Sequence, residues 1–355
     1  MIKSKFKVIG VMSGTSLDGI DIVYATFHFR KEAWHFEIIL AETIAYNHLW
    51  RQMLKDLVSY STDELLQVDK KYTMYLSEII KNFIQKNKIS YIDAICSHGH
   101  TALHEPDKKL TYQIGNLPDM ASVLKKRIVC DFRVQDVAFG GQGAPLVPIG
   151  DKLLFSEYDY CINLGGFANV SYAFENKRIA FDICPVNIVL NYYVNQLGFD
   201  YDDEGEIAST GTVNNTLLEQ LNALDFYKET PPKSLGLEWV NTCIFPLIHA
   251  FNLEIKDVLR TFVEHAAMQI ANKISNDNKN KVLITGGGAY NTFFIERLKQ
   301  HSKSDIVIPS KTIVEFKEAL IFAFLGVLKL RGEINCLQSV TGAKKDHSSG
   351  KIYLP

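Results

Sequence analysis

A glycine-rich segment near the start of the chain carries residues suited to binding phosphate. SGTSLDGID, residues 13–21, lies between two runs rich in β-branched and aromatic residues. Small residues let the backbone approach an anion closely, and N–H groups with the Thr15 and Ser16 hydroxyls supply donors. Asp18 and Asp21 would then face Mg²⁺ rather than bare phosphate. We predict a phosphate-binding loop here, with an ordinary Asp-Gly hairpin turn as the alternative.

Two further glycine segments are candidates for contacts with a nucleotide. They are GGFAN at 165–169, predicted as a loop, and TGGGAYN at 285–291, which leads into a helix predicted at 292–300. Consecutive glycines let flat groups lie against the backbone, and the helix N-terminus adds donors. Neither is a Walker A loop, which ends in GK[ST] before a helix. Each segment alone is compatible with a simple turn. The stronger indication of a nucleotide site is that the three glycine segments lie at positions related by an internal repeat of the chain.

A polar stretch at 130–146, CDFRVQDVAFGGQGAPL, suits a hydroxyl-rich ligand. Asp131 and Arg133 can form charge-assisted hydrogen bonds to sugar hydroxyls or to a carboxylate. The alternative is a structural ion pair between these two residues beneath a loop. The histidines of SHGHT, residues 97–101, and His104 lack a Cys or acidic residue at zinc spacing. We therefore expect this segment to lend hydrogen bonds to a substrate.

Asp182 is the candidate general base. It lies between apolar residues in AFDICPVN, at the end of a predicted strand. Desolvation raises the proton affinity of a carboxylate in such surroundings, so that it can accept a proton from a reacting group. The alternative is a strand-end aspartate with a structural capping role.

The elements that must position these residues recur in two series. Strands are predicted at 5–12, from Ile20 and at 35–43, then a helix at 62–85 with capping-box spacing of Ser61 and Glu64, then a strand at 92–97. Strands at 159–164, 170–174 and 178–183, a helical stripe over 258–274 and a strand at 281–285 repeat the plan. The fold prediction is α/β, with two βββαβα-type units around a central cleft, which resembles the actin, Hsp70 and hexokinase superfamily.

Bulk properties agree with a two-lobed enzyme acting on small molecules. With 355 residues the chain exceeds the size of a single core, and we place the lobes at 1–145 and 146–355, with the option that the C-terminal helix packs back on the first. A net charge of -2 favours neither nucleic acid nor a membrane surface as partner. The six scattered cysteines, without a CxxC pair or a ligand-spaced His, predict reduced and mostly buried thiols in the cytoplasm. The polar DHSSG segment near the C-terminus is expected to be mobile.

Together these segments resemble the anhydro-N-acetylmuramic acid kinases over nearly the whole chain. The motifs that carry the resemblance are GVMSGTSLDGID at 10–21, SHGHT at 97–101, QIG at 113–115, DFRVQDVAFGGQGAPLVP at 131–148, NLGGFANV at 163–170, DDEGEIASTG at 202–211, PPKSLGLE at 231–238, TGGGAYN at 285–291, KEALIFAFL at 317–325 and SVTGA at 339–343.

The resemblance implies a cell-wall recycling kinase that uses ATP and Mg²⁺. Such an enzyme opens 1,6-anhydro-N-acetylmuramic acid with water and phosphorylates O6, giving N-acetylmuramic acid 6-phosphate. Asp182 would be the base that activates the water. The implied ATP-binding residues are Gly14, Thr15, Ser16, Leu17, Asp18, Gly19, Ile20, Asp21, Gly165, Gly166, Asn169, Gly286, Gly287 and Gly288. Our candidate sugar-binding residues are His98, Asp131, Arg133, Gln142 and Asn187.

Three departures from the family pattern leave alternatives open. FDICPVN, residues 181–187, stands where the family has FDTGPGN, so bulkier side chains at 183, 184 and 186 are expected to narrow the site. His100 and Asn116 replace the Gln of SHGQT and the Asp of QIGD. The alternatives are a kinase of another anhydrosugar or amino sugar, a nucleotide-dependent sensor with weakened catalysis, and an acyl or glycerol-type kinase. A homodimer is compatible with the sequence.

Overall fold

A computed structural model describes residues 3–14, 16–274 and 279–355. The chain divides into two compact units, Met1–Leu154 with Phe316–Pro355, and Phe155–Glu315. The sequence-based boundary lay after residue 145 and assigned 316–355 to the second lobe, with the option that the C-terminal helix packs back on the first. In the structure residues 316–355 belong to the first unit. No helix of the described ranges is long and apolar enough to cross a membrane.

The helices and strands of the described residues follow the chain in one order. They are β1 Lys5–Ser13, β2 Gly19–Arg30, β3 Ala33–Ala45, α1 His48–Lys55, α2 Thr62–Lys86, β4 Ala94–Glu105, β5 Leu110–Ile114, α3 Asp119–Leu124, β6 Ile128–Cys130, α4 Val134–Ala138, α5 Pro148–Leu154, β7 Tyr160–Leu164, β8 Phe167–Phe174, β9 Lys177–Pro185, α6 Asn187–Asn195, α7 Glu206–Ser209, α8 Asn215–Asn222, α9 Leu237–Trp239, α10 Phe245–His249, α11 Ile255–Ala271, β10 Lys281–Thr285, α12 Thr292–His301, β11 Asp305–Val307, α13 Lys311–Arg331, α14 Gln338–Thr341 and β12 Lys351–Tyr353.

The two sheets repeat one topology. In the first unit the strand order is β12-β6-β4-β1-β2-β3, with β5 paired to β4; in the second it is β11-β10-β7-β8-β9. Each sheet begins with an antiparallel meander, and the next strand pairs in parallel with the first strand of that meander. This arrangement confirms the predicted α/β class and the predicted repeat. Each unit has its own apolar core.

Local signals set several boundaries. The capping box that begins α2 is formed, with Ser61 Oγ accepting from the Glu64 N–H and the Glu64 carboxylate accepting from the Ser61 N–H. In the second unit, however, β8 begins at Phe167, so Asn169 lies in a strand rather than in the predicted loop. Similarly, β9 extends to Pro185, so Asp182 lies within the strand and not at its end. Antiparallel pairing of β8 with β9 through Phe167 and Pro185 lengthens both strands.

Glycines explain how α13 lies so close to the first sheet. A Cβ built on Gly10 of β1 would come within 2.3 Å of the Ala319 carbonyl oxygen, and one on Gly326 within 2.1 Å of Cys96 Sγ. Only residues without a side chain permit this contact between helix and strands. This packing is the physical reason why residues 316–355 belong to the first unit.

Candidate functional site

The first glycine segment forms the turn between β1 and β2. Gly14 leaves room around its Cα, because the nearest other atoms to an added Cβ are those of Ser16, at 3.6 Å or more. Ser16 and Asp18 are exposed, and Leu17 has a positive φ of 60°. Gly19 and Ile20 already belong to β2 and are buried. Thr15 lies outside the described residues. The described part of the turn therefore offers accessible backbone and polar side chains, as a phosphate-binding loop requires.

Asp21 links this turn to a carboxylate that the sequence argument did not select. Asp21 Oδ1 accepts a 2.5 Å hydrogen bond from Thr43 Oγ1 on β3. Glu318 of α13 is accessible to solvent, yet desolvation by the surrounding protein raises the pKa of its carboxyl. The charge of Arg133 lowers this pKa, and that of Asp21 raises it further. Glu318 entered the sequence analysis only as part of KEALIFAFL, one of the motifs that carry the family resemblance.

Arg133 is held by two groups of the first unit. Its Nε donates to His98 Nε2 at 2.8 Å, and its Nη1 donates to the Gly143 carbonyl at 2.8 Å. Because His98 Nε2 accepts, the ring is neutral, with its proton on Nδ1 facing the Gly99 carbonyl at 2.9 Å. Burial and the nearby Arg133 hold the pKa of His98 well below its usual range. Both ring nitrogens of His98 are therefore engaged within the unit. Its structural role is to orient the guanidinium.

Asp131 and Arg133 do not form the ion pair that we considered as an alternative. Asp131 pairs with Lys351 at 2.9 Å and accepts from Asn116 Nδ2 at 3.1 Å, and its φ is 56°. The side chain of Asn116 also donates to the His98 carbonyl at 3.1 Å. An aspartate at 116, as in the family pattern, would place a second carboxylate beside Asp131. The Asn116 amide instead donates to it, so this departure is matched to its surroundings.

Gln142, the remaining candidate of this segment, lies in the glycine turn after α4. Its side chain is exposed, and its backbone N–H donates to the Thr341 carbonyl at 2.8 Å. The turn is therefore fixed by the backbone, while the amide of Gln142 is accessible to solvent.

The other histidines of the predicted cluster have partners of their own. His100 Nδ1 is 2.8 Å from Ser13 Oγ, which is 2.6 Å from the Tyr46 hydroxyl, and that hydroxyl contacts Tyr72. All four groups are buried. His104 Nδ1 is bonded to Thr111 Oγ1 at 3.0 Å. His100, which replaces the family glutamine, therefore completes a buried polar chain beneath the β1–β2 turn.

In the second unit a polar row crosses the sheet. Thr285 on β10 is in register with Asn163 on β7, Asn163 with Asn169 on β8, and Asn169 with Asp182 on β9. Directly paired residues point to the same face of a sheet, so the four side chains lie side by side. Asn163 is the member that sequence reasoning missed. Its signal was its place just before Gly165-Gly166, at the end of a β-strand.

The second and third glycine segments meet at this row. A Cβ on Gly286, where φ is 85°, would lie 2.6 Å from Asn163 Oδ1 and 2.8 Å from the Leu164 carbonyl oxygen. Gly166 O accepts from the N–H groups of Val186 and Ile188. Asn187 Nδ2 donates to the Leu164 carbonyl at 3.4 Å. A Cβ on Gly287 would meet no atom within 4 Å. The structure thus brings together Gly165, Gly166, Asn187 and the Gly286–Gly288 turn, with Gly287 open to a ligand.

Asp182 has the surroundings of a base. Its Oδ2 accepts from the Leu235 N–H at 2.9 Å, and its own N–H donates to the Lys233 carbonyl at 3.2 Å. Burial raises the pKa of Asp182, while the bond from Leu235 lowers it. The carboxylate is half-buried, and its direct neighbour across the sheet is Asn169. A fixed, partly desolvated carboxylate of this kind can accept a proton from a bound water.

The bulky residues after Asp182 do not narrow this site as we expected. Ile183, Cys184 and Val186 are at most 1% exposed and belong to the apolar core of the second unit. Cys184 Sγ donates to the Ala266 carbonyl at 3.9 Å. The departures from FDTGPGN therefore face the core, where larger apolar side chains add packing, and leave the Asp182 carboxylate accessible.

Comparison with known proteins assigns the family. The family model described as anhydro-N-acetylmuramic acid kinase matches residues 6–355. The chain is 33% identical to the anhydro-N-acetylmuramic acid kinase of Haemophilus influenzae, over 97% of each protein. It is 34% identical to the protein of that name from Coxiella burnetii, over 98% of each, and 31% identical to that from Sulfurimonas denitrificans, over 97% of this chain and 98% of the relative. This chain belongs to the anhydro-N-acetylmuramic acid kinase family.

Proposed function

We propose that this protein phosphorylates 1,6-anhydro-N-acetylmuramic acid at O6 with ATP and Mg²⁺, opening the anhydro ring with water. The product is N-acetylmuramic acid 6-phosphate, an intermediate in the recycling of cell-wall peptidoglycan. The observation that carries the proposal is the partly desolvated Asp182 carboxylate, held by the Leu235 N–H beside Asn169. Family membership supports the identity of the sugar.

The reaction needs one group that accepts a proton. Water attacks the anomeric carbon, the bond from that carbon to O6 breaks, and Asp182 takes the proton of the attacking water. O6 takes the γ-phosphoryl group of ATP, and ADP leaves. Because burial raises its pKa, Asp182 is a stronger base than an ordinary aspartate.

Both units carry residues suited to ATP. In the first, the space around Gly14 and the exposed Ser16 and Asp18 support binding of phosphate oxygens and their metal ion. In the second, Gly165, Gly166 and the open Gly287 support close approach of flat or ribose groups. Asp18, Asp21 and Glu318 offer the hard oxygen ligands that Mg²⁺ prefers, and the mutual repulsion of Asp21 and Glu318 would be relieved by a cation. When bound, Mg²⁺ neutralises phosphate charge during the transfer.

The sugar is assigned to polar groups that already have a fixed orientation. Arg133, fixed by His98 and Gly143, is suited to a carboxylate such as that of the lactyl group. Asp131 and the exposed Gln142 amide offer hydrogen bonds to hydroxyl and acetamido groups. Asn187 is placed at the Leu164 carbonyl, next to the glycine turns of the second unit. His98 acts through Arg133 and is a positioning residue.

A coupled assay of ADP release tests the proposal. Purified protein is given ATP, Mg²⁺ and, in turn, anhydro-N-acetylmuramic acid, N-acetylmuramic acid, N-acetylglucosamine and levoglucosan. We expect turnover on the first sugar and a loss of about 10²–10⁴-fold in Asp182→Asn, the usual contribution of a general base. Asp225→Asn is the matched control, because that carboxylate is exposed in the same unit and pairs with Lys228 at the surface.

The outcomes separate the alternatives. Turnover on another sugar of the panel would move the assignment to a different anhydrosugar or amino-sugar kinase. ATP binding without ADP release on any sugar would contradict the kinase proposal and favour a sensor. Unchanged turnover in Asp182→Asn would remove the role of Asp182 while leaving the substrate assignment in place.

A further inference from the structure

A buried cluster in the first unit joins three potential metal ligands from distant parts of the sequence. Asp136 lies on α4, Cys336 precedes α14, and His347 lies in the DHSSG segment. Their ligand atoms, a carboxylate oxygen, Sγ and an imidazole nitrogen, all lie within 4.8 Å of one another. Asp136 is fully buried, and Cys336 and His347 are 1% and 5% exposed. The segment expected to be mobile is thus fixed in the interior.

The tautomer of His347 directs a lone pair into this cluster. Its Nδ1 is 3.0 Å from the Lys345 carbonyl, which can only accept, so Nδ1 carries the proton. Nε2 then has a free lone pair, and it is a buried atom without a hydrogen-bond partner among the described residues. Its distance to Asp136 Oδ1 is 3.6 Å. A buried nitrogen lone pair facing a carboxylate and a thiol is the arrangement that a cation satisfies.

The groups around the cluster have the arrangement of an outer ligand shell. Asp136 Oδ1 accepts from Thr341 Oγ1 at 2.7 Å, and Oδ2 accepts from the Gly143 N–H at 2.7 Å. Metal-binding histidines usually donate their other N–H to a carbonyl or carboxylate, as His347 does to Lys345, and metal-binding carboxylates are themselves hydrogen-bonded. Cys336 and His347 are further joined by two backbone hydrogen bonds of 3.1 Å.

We propose that Asp136, Cys336 and His347 form a zinc site that fastens the C-terminal segment to α4. Zn²⁺ binds sulfur, nitrogen and oxygen ligands at about 2.0–2.3 Å, which separates neighbouring ligands of a tetrahedron by about 3.3–3.7 Å. The distance from Cys336 Sγ to Asp136 Oδ1 is 3.0 Å, and that from His347 Nε2 is 3.6 Å, close to this range. Three protein ligands leave the fourth position to water.

Charge favours a divalent ion at this position. On binding, the Cys336 thiol loses its proton to solvent, so one thiolate and the Asp136 carboxylate balance the two positive charges, while His347 stays neutral. A buried site of zero net charge avoids the desolvation penalty of an unpaired carboxylate. The mixed S, N and O set suits Zn²⁺ better than Mg²⁺, which prefers oxygen ligands alone.

The site would also stiffen the glycine turn after α4, which carries the sugar-binding candidate Gln142. Asp136 holds the Gly143 N–H, and the Gly143 carbonyl accepts from Arg133 Nη1. Removal of the metal is therefore expected to lower thermal stability and to loosen Arg133. This proposal does not depend on which sugar the protein phosphorylates.

Metal content and Co²⁺ spectra test the site on the full-length protein. After expression with added zinc and extensive dialysis, we expect about one equivalent of zinc per chain. After chelation and addition of CoCl₂, we expect a thiolate-to-Co²⁺ charge-transfer band. Cys336→Ser should abolish this band, and His347→Gln should weaken Co²⁺ binding more than about 100-fold, since even outer-shell changes cost about 10–100-fold. The controls are Cys243→Ser and His249→Gln, which lie outside the cluster.

Two results would overturn the proposal. One is wild-type protein with neither zinc nor a thiolate band after CoCl₂ is added, which would leave a purely hydrogen-bonded cluster. The other is a band that persists in both Cys336→Ser and His347→Gln, because the metal would then be bound elsewhere. If Cys336→Ser fails to fold, the wild-type spectrum and His347→Gln decide the question without it.

Discussion

The turns between the first two strands of each unit have the same place in the topology but are built differently. Between β1 and β2, residue 14 and residues 16–18 lie in an open turn beside the buried chain of His100, Ser13 and Tyr46. Between β7 and β8, only Gly165 and Gly166 intervene, and the Gly286 turn contacts this region closely. The polar groups lie inside the first unit, whereas in the second the row buries Thr285 but leaves Asn169 exposed and Asp182 half-buried. One topology therefore supplies an open turn in one repeat and a tightly packed glycine turn beside a row of polar side chains in the other.

The largest loss of stability is expected from a substitution that disrupts the Gly286 turn of the second unit. Gly286→Ala forces a side chain into a positive φ and against Asn163 and the Leu164 carbonyl. We expect the free energy of unfolding to fall by about 2–3 kcal/mol, because backbone strain and a displaced polar group act together. Chemical denaturation measures the change. Gly287→Ala is the matched control, since its added Cβ meets no atom, and it should stay within about 0.5 kcal/mol. Equal losses of unfolding free energy in the two variants would show that the close contacts of Gly286 do not stabilise the turn.

The units also differ in how they bury charge, and an acid titration sharpens this difference. The first has the ion pair Lys317–Asp151 at 2.7 Å, whereas in the second Glu264 contacts Arg260, Arg297 and His301. These contacts outweigh the burial of Glu264 and lower its pKa to about 2. We expect Glu264→Gln to cost about 2 kcal/mol at neutral pH, less than a fully buried pair because both arginines are partly exposed.

The sign of the pH dependence follows from this lowered pKa. A carboxyl with a folded-state pKa below its unfolded value stabilises the fold fully above the unfolded pKa, and this stabilisation is lost as the pH falls toward about 2. Wild-type protein and Glu264→Gln should therefore converge in unfolding free energy between about pH 4.5 and pH 2. Glu315→Gln, at a more exposed pair with Lys311, is the control. A constant gap across this range would show that the charge of Glu264 is not responsible.

A smaller effect is expected from breaking the buried chain of the first unit. Ser13→Ala removes the hydroxyl shared by His100 and Tyr46 and should cost about 1–2 kcal/mol, the penalty for leaving buried polar groups unsatisfied. Asn169→Ala, in the exposed row of the second unit, should change stability little but lower turnover. Thermal unfolding together with the ADP-release assay separates the two. A loss of stability in Asn169→Ala but not in Ser13→Ala would contradict the conclusion that the polar groups of the first unit are internal and Asn169 is exposed.

The smallest effect concerns the pH profile of the reaction. Since burial raises the pKa of Asp182, its protonated form persists to a higher pH than for an ordinary aspartate, and protonated Asp182 cannot act as a base. The acid limb of kcat/KM should therefore lie above the usual aspartate range, with activity rising with pH. Asp182→Glu, if active, should shift this limb, whereas Asp225→Asn should not. An acid limb at or below the ordinary aspartate value would contradict the role of Asp182.

Much of the architecture was predictable because its signals are local. The capping box of Ser61 and Glu64, the alternation of the meander strands and the glycine turns each depend on neighbours in sequence, and the α/β repeat follows from their order. The positions that were predicted wrongly depend on contacts with residues that are distant in sequence. Asn169 and Asp182 lie within strands because β8 and β9 pair along their full length. Ile183, Cys184 and Val186 were expected in the site but face the core.

The sequence by itself determined the fold class and the repeat, and it singled out the glycine segments and Asp182 as candidates, since residue type and spacing carry that information. Only the tertiary structure decided which groups meet. It separated Asp131 from Arg133, placed Asn163 in the polar row and brought Glu318 near Arg133 and Asp21. It also joined Asp136 to Cys336 and His347 across some 200 residues of chain. Contacts of this kind arise from helix packing and strand register, which no local pattern of residues encodes.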